Sequence, residues 1–358
     1  MTAADDLGER EQLAIRPASK ALRLAHAVAE GAVYGAAYAA PNYFASASEP
    51  VDAEAVWTFF TRRQNPLIQA FVDHWPPPFV RPAVMARFLD QSHAAGIEYH
   101  YDVSNAFYEL FLDREFMFYT CADFHAPTDT IEQAQRHKAD YILGLLEPKA
   151  GERIIELGCG WGSMLKHVFA ATGDRDSISG LTLSRDQVAY IREKLGFTVE
   201  LADFITHDYG AGTYDKIYSI GGLEHVRPES VLPLFTRLHA ALKPGGRLVL
   251  HFFSLNGTDR LPTCMIGAQA FFPGSLLSLH SDHRANAERA GFRITHDSEH
   301  DYRPTLRAWF DRLVENRAKA EALVGVQVVN KYLAYLASSW NFFDLRKSTL
   351  HRLVLMKD

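Results

Sequence analysis

One stretch constrains this chain more than any other. Glu156 to Gly162 reads ELGCGWG, a glycine-rich turn placed directly after the apolar run Arg153-Ile-Ile-Glu-Leu157 and directly before a helical pattern that opens at Ser163. Glycine lets a backbone turn tightly and approach a ligand closely. The sequence that follows keeps the alternation. Ser177 to Leu183, Phe197 to Leu201, Tyr214 to Ile220 and Gly246 to Phe252 are strand-like, and Asp186 to Leu195 and Pro233 to Leu242 are helix-like. Such alternation predicts an α/β fold, a mostly parallel sheet covered on both faces, whose ligands bind beyond the carboxyl ends of the strands. Residues 1–92 have a different texture and read as a helical region ahead of the main domain, 93–358. Val56 to Thr61 and Pro66 to Val72 carry apolar residues at helical spacing, and Trp75-Pro-Pro-Pro78 breaks the pattern.

Composition narrows the partners. Hydrophobic residues make up 47% and charged residues 22% of 358, an ordinary globular balance with ample core. The formal net charge of −6 argues against nucleic acid, which needs a basic surface, and against a simple electrostatic grip on anionic lipid. The acidic start, Met-Thr-Ala-Ala-Asp-Asp, is no secretory signal, and the apolar stretch 25–40 is interrupted by Glu30, Gly31 and Gly35. A cytoplasmic location is expected. Cys121, Cys159 and Cys264 stand far apart and form no zinc framework. His280/His283 and His296/His300 have helix-compatible spacings for metal ligands but no third ligand nearby in sequence, so no metal site is expected.

The glycines define the first candidate site. Gly158, Gly160 and Gly162 follow a Gly-x-Gly-x-Gly spacing rather than the Gly-x-Gly-x-x-Gly of dinucleotide sites. S-adenosylmethionine (SAM) has no pyrophosphate to seat on the helix N-terminus, so the difference points to it. The alternative, an ordinary strand–helix turn, is weakened by the downstream strands and by Leu242-Lys-Pro-Gly-Gly-Arg247. Gly180 to Gln187 (GLTLSRDQ) ends the second strand. Thr182, Leu183, Ser184 and Gln187 lie there, where many nucleotide folds carry a ribose-binding acid. Ser184 also suits a helix N-cap, and both roles can hold. Asp203 sits where an adenine amino group is recognised, or it caps its own loop. Glu224 and His225, after Ser219-Ile-Gly-Gly-Leu, face the cofactor's reactive end. A carboxylate there has either a task or a salt bridge to Arg227.

Taken together, these motifs resemble the cyclopropane-fatty-acid synthase family of SAM-dependent methyltransferases. The resemblance runs through His100-Tyr-Asp-Val-Ser-Asn-Ala-Phe-Tyr108, Tyr119-Thr-Cys-Ala-Asp-Phe124, Leu157 to Gly162, Gly180 to Ser184 and Ser219 to Val226. It extends to Glu30 to Tyr38, Phe272-Pro-Gly-Ser275 and Asp301 to Trp309. It implies a Rossmann-like methyltransferase fold and methyl transfer to the double bond of an unsaturated acyl lipid. Some members instead methylate smaller molecules, at carbon or nitrogen. It also implies that Tyr101 and Ser104 help close the SAM site, that Glu156 to Gly162 hold the cofactor, and that Cys121, Glu224, His251 and Tyr302 surround a bound bicarbonate acting as base. A small hydrophobic acceptor, peripheral contact with a membrane and homo-oligomers remain open.

The chain also departs from the family pattern. Asn105-Ala-Phe-Tyr108 replaces Asn-Asp-Phe-Tyr, Leu250-His-Phe-Phe-Ser254 replaces Leu-His-Thr-Ile-Gly, Asp203-Phe-Ile205 replaces Asp-Tyr-Arg, and Thr349-Leu-His-Arg352 replaces Gln-Leu-Trp-Gln. The cofactor side looks intact and the acceptor side remodelled. Trp309, Phe310, Tyr332, Tyr335, Trp340, Phe342 and Phe343 either line an acceptor channel or pack the core.

Overall fold

The computed structural model describes residues 47–61, 78–89, 105–269, 271–272 and 274–358. Its centre is a seven-stranded sheet built from β1 (Ile154–Leu157), β2 (Ile178–Thr182), β3 (Thr198–Leu201), β4 (Tyr214–Ile220), β5 (Leu242–Leu255), β6 (Arg293–His300) and β7 (Ser348–Met356). The spatial order is β3-β2-β1-β4-β5-β7-β6. Strands β1 to β5 pair in parallel, with β1 flanked by β2 and β4. The order therefore reverses beside β1, which places a ligand crevice at its carboxyl end. All four residues of β1 are buried, as a strand covered on both faces requires.

The last two strands differ from the expected alternation. β7 lies antiparallel between β5 and β6. Eight of its nine residues are buried, including His351 and Arg352, whose polarity hid the strand in the sequence. β6, RITHDSEH, has no apolar alternation because its exposure alternates between intermediate and open. The spacing of His296 and His300 is therefore a strand spacing and not a helical one. Both rings hydrogen-bond to the Ser298 hydroxyl between them.

The helices are α1 (Ala53–Thr61), α2 (Arg81–Leu89), α3 (Asn105–Tyr108), α4 (Ile131–Leu146), α5 (Ser163–Thr172), α6 (Arg185–Tyr190), α7 (Pro228–Ala241), α8 (Thr263–Ala268), α9 (His280–Arg289), α10 (Arg303–Glu315), α11 (Arg317–Val324) and α12 (Val326–Asp344). Helix α4 opens with a capping box between Thr130 and Gln133, which satisfies two orphan backbone donors. Helix α7 begins at Pro228, earlier than the apolar run from Pro233 suggests, because proline suits a first helical turn. Helix α6 runs into a π-turn, Ile191–Leu195, closed by left-handed Gly196.

Two apolar clusters cover the faces of the sheet, and a third, largely aromatic, joins the helices. In the third, α1 packs on α10 and α12. The Trp57 ring lies 4.7 Å from Phe310 and 5.7 Å from Trp340. Buried Asn330 on α12 ties the approach to α1 down: its amide donates to Glu49 O at 2.9 Å and Ala47 O at 3.1 Å, and its oxygen accepts from Val51 N. The segments 62–77 and 90–104, with Pro66 to Val72, most of the Trp75 to Pro78 break, Tyr101 and Ser104, lie outside the described residues, as does Glu30 to Tyr38. Among the described residues no helix is long and apolar enough to cross a membrane.

Gly180 on β2 is fixed by packing: an added Cβ would stand 2.9 Å from both Cβ and Sγ of Cys159 in the glycine turn. Gly180→Ala is expected to destabilise the fold by about 1–3 kcal/mol, the usual scale for overpacking. Denaturant unfolding of purified protein checks this.

Candidate active site

The turn after β1 hangs from β2. Gly158 N and Cys159 N both donate to Leu181 O, at 3.0 and 2.9 Å, and Gly162 N donates to Cys159 O at 2.8 Å. Gly158, Gly160 and Gly162 all have positive φ. They divide by role. A Cβ at Gly158 or Gly160 would meet nothing within 4 Å, so the backbone there borders open space. A Cβ at Gly162 would stand 2.9 Å from Ile191 Cγ1, so this glycine lets the turn seat against the π-turn. Glu156 is buried on β1 and its carboxyl accepts from the Tyr218 hydroxyl at 3.0 Å. Burial raises it to about 8. It thus braces the strand that carries the turn.

The neighbouring strand ends complete the cradle. Thr182 Oγ1 donates to Gln187 Oε1 at 2.6 Å and accepts from Ser184 N. Ser184 caps α6 by accepting from Gln187 N at 3.3 Å. Leu183 between them is 48% exposed, an apolar side chain held out at the mouth of the crevice. Asp203 caps its loop, accepting from Ile205 N at 2.8 Å. The local caps expected for Ser184 and Asp203 are both present. The open space above Gly158 and Gly160, with exposed Leu183 beside it, fits a cofactor with an apolar, flat surface.

A second group of candidate residues lies beyond β4 and β5. Gly221 N donates to His251 O at 2.8 Å, and the following turn of 3-10 helix, Leu223–His225, carries Glu224 and His225. The Glu224 carboxyl is buried, the nearby backbone N–H groups of Glu224 and Phe253 partly offset that burial, and among the described residues its Oε2 has no hydrogen-bond partner. Among the described residues it forms no ion pair with Arg227, which donates instead to the carbonyls of Leu89 and Gly274. Burial pushes Glu224 up to about 8, so it is an acid at neutral pH. Beside it opens a cavity of about 110 Å³, continuous with solvent, walled by Tyr119, His225, Phe253, Tyr302, Tyr335 and Phe343 among others. The C-terminal aromatics divide here: Trp309, Phe310 and Tyr332 are core, while Tyr335, Phe342 and Phe343 line the cavity.

Cys121, His251 and Tyr302 come from other elements, and of these only Tyr302 lines the cavity with Glu224. Cys121 Sγ lies 3.5 Å from Asp301 O, next to Tyr302, and Thr305 Oγ1 accepts from Ala122 N. Burial raises the thiol to about 12, so it stays protonated and inert. Tyr302 packs against Phe343 at 4.9 Å and Phe253 at 6.2 Å. His251 is buried and, among the described residues, its Nε2 has no hydrogen-bond partner. Its Nδ1 accepts from Arg352 Nε at 3.0 Å. Arg352, fully buried on β7, reaches both oxygens of Asp123 at 2.7 Å. Lys138 on α4 donates to Thr120 Oγ1 at 2.8 Å, and burial lowers it to about 7. Asp123 and Arg352 lie within quoted motifs, but neither they nor Lys138 were singled out as site residues, because their partners are distant in sequence.

A second group gathers at the far sheet edge. His280, Asp297 and His351 bring one ligand-type atom each within 4.8 Å of one another. The two rings stack at 3.5 Å, Arg284 forms an ion pair with Asp297, and the His351 Nε2 meets Thr349 Oγ1 at 2.5 Å.

Comparison with known proteins now identifies the chain. The profile of the mycolic acid cyclopropane synthetase family matches residues 89–353. The chain belongs to this family. It is 33% identical over 282 residues to a probable fatty acid methyltransferase of Pseudomonas putida, covering 75% of this chain and 70% of that one. It is 28% identical over 285 residues to the cyclopropane mycolic acid synthase MmaA2 of Mycobacterium tuberculosis, covering 74% and 98%. The solved structure of the mycolic acid cyclopropane synthase CmaA1 complexed with SAH and CTAB matches with a TM-score of 0.67 at 27% identity, over 75% of this chain and 99% of that one. The cyclopropane synthetase family member described here is thus a SAM-dependent methyltransferase of Rossmann-like fold.

Two outcomes follow. Gly160→Val fills the open space above the turn and forces a β-branched residue to φ 52°. It should abolish the SAM binding that calorimetry detects in the wild type, expected in the micromolar range. The second concerns Glu224. The folded state holds its proton to about pH 8, while the unfolded chain releases it near 4.5. The folded state therefore binds more protons between these values, and this residue makes stability fall as pH rises through that window. Glu224→Gln should flatten that fall, with its melting temperature gaining on the wild type from pH 5 to 8.5 in thermal scans.

Proposed function

We propose that this enzyme transfers a methyl group from SAM to a carbon of the double bond in an unsaturated fatty acyl chain. The observation that carries the reading is the cavity: an apolar, aromatic-walled space with one buried carboxyl, Glu224, at its wall. The cofactor would be held by the backbone at Gly158 and Gly160, with Thr182, Leu183, Ser184, Gln187, Asp203 and His225 around it. Bound there, SAM supplies an electrophilic methyl group on a sulfonium.

An isolated alkene is a weak nucleophile, so the walls must hold it in line. Good orientation is worth roughly 7–11 kcal/mol of a barrier. Tyr119, Phe253, Tyr302 and Phe343 do this by shape and exclude water from the cation that forms on the acceptor. A proton must then leave the acceptor, and none of the four polar residues is a ready base. Cys121 is a protonated thiol, Glu224 is an acid at neutral pH, His251 is held neutral with Nδ1 engaged, and tyrosine is ordinarily protonated. Two buried polar atoms without protein partners, Glu224 Oε2 and His251 Nε2, suit a small anion held with help from Tyr302. Bicarbonate is the proposed anion, and when bound it supplies the base. Glu224 donates its acid proton to hold that anion in place, which also places negative charge near the developing cation. The Phe253 ring, which lies 6.2 Å from Tyr302, bounds the space available to it.

A smaller natural-product acceptor, methylated at carbon or nitrogen, is favoured by one observation: the hydroxyls of Ser275, Ser339 and Tyr335 interrupt the apolar wall. Mass spectrometry of lipids from a host producing the enzyme separates the two. Methylated, methylenated or cyclopropanated acyl chains are expected with the wild type and not with Glu224→Gln. An unchanged lipid profile moves the assignment to the smaller acceptor. In vitro, Glu224→Gln should lower turnover by roughly 10²–10³ with SAM affinity retained, the scale of losing one preorganised donor. Turnover should fall in degassed, bicarbonate-free buffer and recover on adding bicarbonate. Full activity without the anion would assign the proton to a side chain or to the acceptor itself.

A further inference from the structure

Behind His251 lies a set of contacts that the proposed chemistry does not use. The Arg352 guanidinium is completely buried on β7. Its two terminal nitrogens meet the two oxygens of Asp123 at 2.7 Å each, a bidentate fork that fixes the plane of the group. With that plane fixed, the remaining donor, Nε–H, points at His251 Nδ1 from 3.0 Å. An arginine can only donate.

We propose that Arg352 and Asp123 are positioning residues that lock His251 in a single neutral tautomer, with its proton on Nε2 and presented to the reactive end of the site. The argument is one of hydrogen-bond polarity. A donor facing Nδ1 leaves that nitrogen no proton, so the neutral ring must carry its proton on Nε2. Nε2 is buried and has no partner among the described residues, so its N–H is available to whatever occupies the site. The imidazolium is excluded for two reasons. It would set N–H against N–H, and it would add a buried cation beside others. The charged and titratable groups that bear on His251 are Arg352 from β7, Lys138 from α4, Asp123 from the segment before α4 and His300 from β6. Burial and then Arg352 hold the ring well below its ordinary value, with only Asp123 opposing. Asp123 does not compensate, because its carboxylate is already committed: burial alone would raise it, but His300 and Arg352 hold it well below the usual carboxylate range.

The consequence is a fixed chemical role. His251 is a permanent hydrogen-bond donor across the working pH range and never a base. This rests on the reading that places His251 beside the reacting atoms, but its structural part, the tautomer, does not depend on the acceptor.

The test is therefore spectroscopic first. Protein labelled with ¹⁵N-histidine is followed by long-range ¹H–¹⁵N correlation, the His251 signals being assigned by their loss in His251→Gln. The wild type should show the Nε2-protonated neutral ring with no titration from pH 5.5 to 8.5. An Nδ1-protonated ring, or a titration inside that window, overturns the proposal. The Asp123→Leu, Arg352→Met double variant removes both charges together, so neither is left buried alone. It should show mixed tautomers or a titrating ring, and turnover should fall about 10–100-fold, as when the partner orienting a functional histidine is removed, while the KM for SAM stays within about twofold. A folded double variant with the wild-type tautomer and turnover also overturns it. Should circular dichroism show that the double variant does not fold, Arg352→Lys answers the same question. It keeps the charge and loses the fork, and it should free the tautomer while an inert structural pair would not. Loss of the lock without any effect on methyl transfer would count against the placement of His251 in the reaction, and so against the proposed chemistry, separately from the tautomer.

Discussion

Nine consecutive residue pairs, from Arg247↔Met356 to Leu255↔Ser348, tie β5 to the antiparallel strand β7. This pairing sets the positions of most of what lies at the reactive end. β5 brings His251 and Phe253 to the level of the turn that carries Glu224, since its parallel register with β4 puts Ile220 opposite His251. β7 brings Arg352 against the back of His251 and, through Asp123, fastens the segment that carries Tyr119 and Cys121. Among the described residues, the same strand is the one that pairs with β6. A buried arginine in mid-strand is costly unless its donors are met, and all three of its nitrogens are met here.

The proposed cofactor half of the site depends on a simpler device. Three glycines in five residues let the chain leave β1 in a left-handed path that no side chain tolerates well, two of them bordering open space and one yielding room to the π-turn after α6. The proposed acceptor half is built by helices instead. α10 and α12 pack their aromatic faces on α1, and what their packing leaves uncovered becomes the cavity wall. The two halves meet at Glu224, which has one side in the sheet and one in the helical layer.

Much of this could be read in the sequence where function and local structure use the same signal. The glycine turn, the runs that became β1 to β5 and the pairing of Glu224 with His225 are of this kind, since each is written in adjacent residues. The edge of the sheet was illegible for a physical reason. β6 is a strand made almost entirely of polar residues, and β7 buries a histidine and an arginine that a sequence reading assigns to the surface. Their burial is possible only because Asp297 and Asp123 lie opposite, and Asp123 is 229 residues from Arg352. The aromatics after Trp309 carried no label dividing core from channel. Trp309 faces the core and Phe343 the cavity because of how α12 is rotated against α10, and rotation is a property of packing.

The position of β7 also bears on how the molecule is made. β5 and β7 meet across about a hundred residues of chain, with His251 and Arg352 separated by 101. During synthesis on the ribosome, β1 to β5 can assemble as each strand emerges, because each pairs with strands already made. The outer side of β5 then waits, an apolar strand edge with unpaired backbone, while β6 and the helices α10 to α12 are translated. Only the closing strand covers it. The nascent enzyme is thus exposed to wrong pairing for the time needed to add the 101 residues that separate His251 from Arg352, and long-range closure of this kind is intrinsically slow. Charged and histidine-rich β6, unable to pair with another apolar edge to any advantage, is well suited to be the strand that waits outside.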